Sequence, residues 1–201
     1  MNPVKITDIK QQVKRKDRYS IFIDGKYGFA LSESGLLAGG LKVGQELSKP
    51  ELDKLKETSV EDKAVYRVLE LIARRPRSEG EIRDYLRRKK YEDQKIEKIL
   101  STLSSKGHIN DEDFAFRWVE NRRLLKPISK RKLRLELKQK KISEDIIQKI
   151  LQDDETDEKE IIKELIEKKR RQSRYQDNQK LIAYLARQGF SYSDIKEAMD
   201  S

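Results

Sequence analysis

Two prolines, Pro76 and Pro127, stand 51 residues apart, and the chain repeats itself after each of them. "RPRSEGEIRDYLRRKKYEDQKIEKIL" (Arg75 to Leu100) and "KPISKRKLRLELKQKKISEDIIQKIL" (Lys126 to Leu151) agree at ten of twenty-six positions. The shared residues include Pro, Ser, Leu, Lys-Lys and the closing Lys-Ile-Leu. A third, more diverged copy, "DNQKLIAYLARQGFSYSDIKEAM" (Asp177 to Met199), follows at an offset of 48. There Leu181, Leu185, Phe190, Ser191 and Ile195 take the places of Leu133, Leu137, Ile142, Ser143 and Ile147. A period of this length marks one supersecondary unit that cannot bury its apolar face alone, so neighbouring units must stack.

Each copy reads as cap, helix, tight turn, cap, helix, with a further helix before it. Ser78, Ser129 and Asp177 supply the first caps, and Ser143 and Ser191 are second caps whose oxygens accept free N–H groups. "SKPE" (Ser48 to Glu51) is a capping box with proline in the first turn, where the helical region begins. The chain before it has a different period. "RYSIFIDGKYGFAL" (Arg18 to Leu31) alternates apolar residues on both sides of Asp24-Gly25, the signature of a hairpin whose turn needs positive φ. "VKITDIKQQV" (Val4 to Val13) supplies a third strand, and "SESGLLA" a short helix stopped by Gly39-Gly40. The expected fold is mainly α: tandem three-helix modules in a bent solenoid, with a small N-terminal β-hairpin or meander subdomain. The expected boundaries are 1–47 for the β-rich part and 48–110, 111–154 and 155–201 for the modules.

Such a fold suits a chain with 35% hydrophobic and 41% charged residues, because its thin core is shared among amphipathic helices. With no Cys there is no disulfide framework, thiolate nucleophile or Cys-ligated zinc, and a reducing cytoplasmic location is expected. No run of 18 apolar residues occurs and "MNPVKITDIK" has no apolar h-region, so neither a membrane span nor secretion by that route is expected.

Enzyme chemistry finds no foothold. "GLLAGGLK" (Gly35 to Lys42) approaches a phosphate-binding loop, yet Leu41 separates Gly40 from Lys42 and no Ser or Thr follows to hold magnesium. The single histidine, His108, lies in the turn "KGHIND" without the partners of a zinc site or a triad. Asp111, Glu112 and Asp113 point about 100° apart on a helix, so they cap its start and complement its dipole rather than chelate one ion. No catalytic, cofactor-binding or metal-binding residue is expected, and no cofactor or small-molecule substrate.

The helix opened by those acids carries two apolar stripes. Phe114, Trp118, Asn121 and Leu125 share one face, while Phe116, Val119 and Arg123 lie opposite. A surface helix needs one stripe. The second implies either a helix sandwiched between modules, which is the expectation here, or a Phe116 displayed to a partner.

Positive charge is patterned by the same repeat. Beside the core pair Ile82 and Leu86 stand Arg83, Arg87 and Lys90; beside Leu133 and Leu137 stand Arg134, Lys138 and Lys141, with Lys130 one turn earlier. In the third copy the equivalents are Ile182, Ala186 and Gly189, which suggests packing against the second module or a further module. From Arg117 to Lys141 eleven Lys or Arg face only Glu120 and Glu136, whereas "DDETDEKE" (Asp153 to Glu160) holds six acids and one lysine. A charged face is often mere solvation. Yet solvated faces mix signs, and like charges four residues apart repel. A row repeated in successive modules of a chain carrying net charge +10 fits a regular anionic array, such as nucleic-acid phosphates or a filament with acidic surfaces. The candidate contact set is Arg83, Arg87, Lys90, Arg123, Lys130, Arg134, Lys138 and Lys141.

"RPRSEGEIRDYLRRKKY", "INDEDFAFRWVENR" and "LKQKKI", in that order in a basic, Cys-free chain, resemble the RecX regulatory protein family of bacteria. The likeness spans about Val60 to the C-terminus, and "KDRYSIFIDGKYGFALSE" is similar to the N-terminal extension of members from low-GC Gram-positive bacteria. The resemblance implies a non-enzymatic cytoplasmic modulator of RecA recombinase. Such a protein binds the RecA–DNA filament and restrains strand exchange, ATPase and co-protease activity in DNA repair, recombination and the SOS response. It implies the RecA filament and single- and double-stranded DNA as partners, no membrane, and a monomeric chain. The alternative reading is a stand-alone DNA-binding protein acting through the basic helical face.

Overall fold

The structure, a computed structural model, describes residues 3–200. Its chain passes through two compact units. One comprises residues 3–75 and 85–108, the other residues 76–84 and 109–200.

The first unit begins with strands β1 (Val4–Gln11), β2 (Arg18–Ile23) and β3 (Lys26–Ser32). A short helix α1 (Glu33–Ala38) and strand β4 (Glu46–Leu47) complete an antiparallel sheet of order β3-β2-β1-β4. The β2–β3 turn is the expected one, with Asp24 at φ 47° and Gly25 at φ 79°, values that glycine and aspartate reach at low cost. The Asp24 carboxylate accepts the Lys5 N–H at 3.0 Å, which fixes the turn against β1. Ile6, Ile21, Phe29, Leu31, Leu41 and Leu47 form the core of this sheet.

The 26-residue helix α2 (Lys49–Arg74) starts at the capping box, with Ser48 and Glu51 bonded reciprocally. It packs on β3 and on α4 (Asp93–Ser105); Ala64 and Val68 of α2 are wholly buried, and so, almost wholly, are Ile96, Ile99, Leu100 and Leu103 of α4. Arg18 is buried and pairs with Asp62 of α2 at 3.1 Å, and the same carboxylate accepts the Ser32 N–H at 2.6 Å. Sheet and helix are thereby joined by a charge pair as well as by apolar contact.

Helix α3 (Glu79–Arg88) is divided between the units after Asp84. The second unit continues with α5 (Asp111–Leu125), α6 (Lys130–Gln139) and α7 (Glu144–Gln152), whose core is Phe114, Ala115, Val119, Ile128, Leu133, Leu137, Ile142, Ile147, Ile150 and Leu151. Then come α8 (Glu158–Arg170), a 3₁₀ turn at Ser173–Tyr175, α9 (Asn178–Arg187) and α10 (Tyr192–Asp200), built around Ile162, Leu165, Leu181, Leu185, Phe190 and Ile195. The protein is therefore mainly α, with three-helix modules and a small antiparallel sheet, as the repeat requires.

The expected caps all form: Ser78, Ser129, Ser143 and Ser191 each accept an N–H three residues on, and Asp177 accepts from Gln179 and Lys180. Two caps do more. Ser78, fully buried, donates its hydroxyl to the Lys140 carbonyl at 2.5 Å, and Ser129, also buried, donates its N–H to the Gln188 carbonyl at 3.0 Å. In each case the start of one second-position helix receives the turn that ends the next one. Both junctions have a glycine against the partner: a methyl built on Gly80 collides with Lys141 Cβ, and one built on Gly189 collides with Ser129 and Lys132.

Candidate functional site

Helix α5 buries one stripe, not two. Its inward residues are Phe114, Ala115, Trp118 and Val119, the i, i+1, i+4, i+5 pattern whose centre lies between the two faces expected from the sequence. Asn121 and Leu125 are exposed, and so is Phe116, at 51%. The expectation that Phe116 lies sandwiched between modules is wrong. The helix has neighbours along one broad side only, and Phe116 stands beyond its edge.

Arg123 also departs from the row. Its guanidinium pairs with Asp154, Nη2 to Oδ2 at 2.5 Å, and donates to the Ile128 carbonyl at 2.6 Å, with both side chains largely buried. Burial pushes the Asp154 carboxyl up, but hydrogen bonds from Arg123 and Thr156, with the Arg123 charge, outweigh it and hold that carboxyl below the usual value. Lys130 turns the same way, giving its Nζ to the Asp154 carbonyl, while its N–H is taken by Glu158. These two cations tie α5 and α6 to the 153–158 loop: the Arg123 charge is spent on Asp154, and the Lys130 ammonium is turned inward onto a carbonyl.

The rest of the row stays outward. Arg134 and Lys138 lie about half exposed on α6 and share one partner, Glu144, at 2.5 and 2.9 Å. The Lys138 hydrogen bond, ahead of its charge and that of Arg134, holds the Glu144 carboxyl below its usual value. Two cations on one carboxylate leave a net positive charge at the surface. Arg131, exposed and without an ion pair among the described residues, stands beside Arg134 at a groove of about 400 Å³ between α6 and α7. Gln148 and Gln152 supply amides on the facing wall. These three polar residues fall outside the repeat-derived row, which is why the periodicity did not single them out.

In the first unit, Arg87 is half exposed and pairs with Asp93 at 3.0 Å. Arg83, on the part of α3 that belongs to the second unit, is less accessible and pairs with Glu79 one turn back at 2.8 Å. Lys90 and Lys141 are not on the helices at all. Each lies two residues beyond its helix in the left-handed region, at φ 62° and 61°, and Gly189 holds the same place in the third copy at φ 95°. Lys90 is exposed, whereas the Lys141 ammonium meets Asp84 at 2.6 Å.

A polar knot surrounds the only tryptophan. The Trp118 indole N–H donates to Glu136 at 2.9 Å, and Arg122 donates to the same carboxylate at 2.7 Å. The Arg122 guanidinium and the Lys140 ammonium lie about 5 Å from the ring centre, and Lys140 also pairs with Glu81 at 3.0 Å. Asp111 closes the junction by accepting the Glu79 N–H at 2.7 Å, and its burial, opposed by that bond, pushes its carboxyl up. Among the described residues no group of His, Cys, Asp and Glu has the disposition to hold a metal ion, and no helix is long and apolar enough to cross a membrane.

Helical modules that dock cap to turn, an outward cationic strip and a small β subdomain define a helical-repeat protein, a class that offers extended surfaces to its ligands. Comparison with known proteins gives that class a family. Residues 4–48 match the regulatory protein RecX N-terminal domain, and residues 64–103, 110–151 and 156–199 match the first, second and third RecX three-helix domains. A regulatory protein RecX of Listeria monocytogenes is 32% identical over 200 residues, covering 97% of this chain and 74% of that protein. One of Clostridium botulinum is 29% identical and is covered to 94%. A crystal structure of regulatory protein RecX superposes with a TM-score of 0.76 at 31% identity, covering 98% of this chain and all of the other. RecX from Lactobacillus salivarius shares the fold at 23% identity, with a TM-score of 0.60 over 70% of this chain and 94% of that one. The chain belongs to the RecX regulatory protein family.

Proposed function

We propose that this protein regulates RecA by binding the RecA–DNA filament and restraining its ATPase and recombinase activity. The contact would be the outward strip of Arg131, Arg134 and Lys138 in the second unit, with Arg87 and Lys90 serving in the first. Arg123 and Lys141 are excluded because Asp154 and Asp84 take their charges, and Lys130 because its ammonium is turned inward onto the Asp154 carbonyl. The observation that carries the reading is the shared Glu144: two cations four residues apart on one carboxylate leave one positive charge uncompensated at the surface. Lys90 adds support: glycine is the low-cost residue at such a turn, yet an exposed lysine without an ion pair among the described residues holds it.

Replacing Arg134 and Lys138 with Glu reverses the strip and leaves the Lys141 junction intact. Inhibition of RecA's DNA-dependent ATPase by the chain is expected to fall at least about tenfold in affinity, as for the loss of about 1.4 kcal/mol or more. Inhibition equal to that of the unaltered chain rules the strip out.

The groove beside Arg131 and Arg134 favours a second reading, direct binding to nucleic-acid phosphates without RecA. That reading requires tight DNA binding in the absence of RecA, with affinity that falls linearly in log salt at a slope near −0.9 per phosphate contact.

A further inference from the structure

The exposed Phe116 is one wall of a groove on the second unit. Leu124, two turns further along α5 and 80% exposed, extends the wall. Val119 and Ile150 supply an apolar floor, and residues 153–156 close the far side, enclosing about 510 Å³. Isolated apolar residues on a surface need no explanation, but a concave group of four does.

The groove also has a sign. Glu120, Asp153 and Glu155 stand exposed on its rim, and none of them forms an ion pair or a side-chain hydrogen bond among the described residues. The fourth carboxylate, Asp154, is turned inward onto Arg123. Lys and Arg outnumber Asp and Glu by ten in this chain, so an acidic rim left without a cation is not for want of supply. Phe116 and Leu124 are separated by about 12 Å of helix rise, close to the spacing of apolar residues at i and i+7 on a docking helix.

We propose that this groove binds a protein segment in which apolar residues are flanked by lysine or arginine, the apolar side chains entering between Phe116 and Ile150 and the cations meeting Glu120, Asp153 and Glu155. Nucleic acid is excluded, since its phosphates would face three carboxylates. The second module would then hold two ligands of opposite charge on separate faces, a polyanion at the α6 strip and a basic segment here. The proposal stands whether or not the strip contacts RecA.

The test uses the full chain and a fluorescently labelled, acetylated amphipathic peptide of leucine and lysine with leucines at i, i+3, i+4 and i+7. Two controls replace its leucines with serine or its lysines with glutamate. The leucine–lysine peptide should bind, each control should bind at least about tenfold more weakly, and Phe116→Ser and the pair Glu120→Lys, Glu155→Lys should weaken binding by a similar factor. All three substituted side chains are exposed, so unchanged thermal unfolding of the variants is expected to accompany the loss. Four results would overturn the proposal. These are no binding at millimolar peptide, equal binding of the serine control, binding untouched by Phe116→Ser, and self-association of the chain alone that Phe116→Ser abolishes, which would make a second copy the occupant.

Discussion

A lysine in the left-handed region is an expensive choice. The conformation costs an L-residue about 1–2 kcal/mol, of which glycine recovers only part because it loses more freedom on folding. Lys90 accepts that cost while remaining exposed and without an ion pair among the described residues. Lys90→Gly is therefore expected to stabilise the chain by about 0.5–1 kcal/mol in urea unfolding, yet to weaken inhibition of RecA's ATPase. A variant that gains stability with undiminished inhibition would make Lys90 a bystander. The opposite case is Arg123, which the charge pattern places in the same row. The sequence shows that it is cationic and near Phe116, but not that Asp154, 31 residues further on, folds back to take its charge. A row read from periodicity counts charges; only tertiary contacts reveal which of them are already neutralised.

At the scale of the element, caps and turns were legible because their chemistry is local. The Asp24-Gly25 hairpin, the Ser48–Glu51 capping box and the serine caps form where their residues require. The ends of α3 and α6 were not legible, since the Lys-Lys pairs continue the helical charge pattern while their backbone has already turned over. What Gly80 does was equally hidden. In isolation, alanine would favour the helix by up to about 1 kcal/mol. In the folded chain its methyl would meet Lys141 Cβ, which lies too near the backbone to swing away. Overpacking costs about 1–3 kcal/mol, so Gly80→Ala is expected to destabilise by up to about 2 kcal/mol despite the better propensity, as read by the urea midpoint. The junction also gives Ser78 a use that aspartate could not fill: its buried hydroxyl both accepts the Glu81 N–H and donates to the Lys140 carbonyl, whereas Asp177, at the corresponding place in the third copy, caps in the open.

For the molecule as a whole, the chain passes through two compact units that share helix α3. Residues 76–84 belong with the second unit, while the remainder of α3 belongs with the first. One unbroken helix thus serves both units, and damage at its centre should be felt in both. Asp84→Pro removes a helical hydrogen bond and costs about 3 kcal/mol or more. In hydrogen-exchange mass spectrometry it is expected to lower protection in α2 and α4 and also in α5 to α7. Asp62→Asn, which leaves buried Arg18 without its charge partner, should lower it in the first set alone. Protection lost in only one set with Asp84→Pro would mean that the two halves of α3 act separately.

Trp118 adds a spectroscopic consequence. It is the sole indole in a chain of eight tyrosines, so light absorbed at the red edge excites one place only. That place lies between Arg122 and Lys140, whose fields act directly on the ring. Emission from the unlabelled protein is accordingly a built-in gauge of whether the turn after α6 is seated on Glu81, and it can be followed in real time.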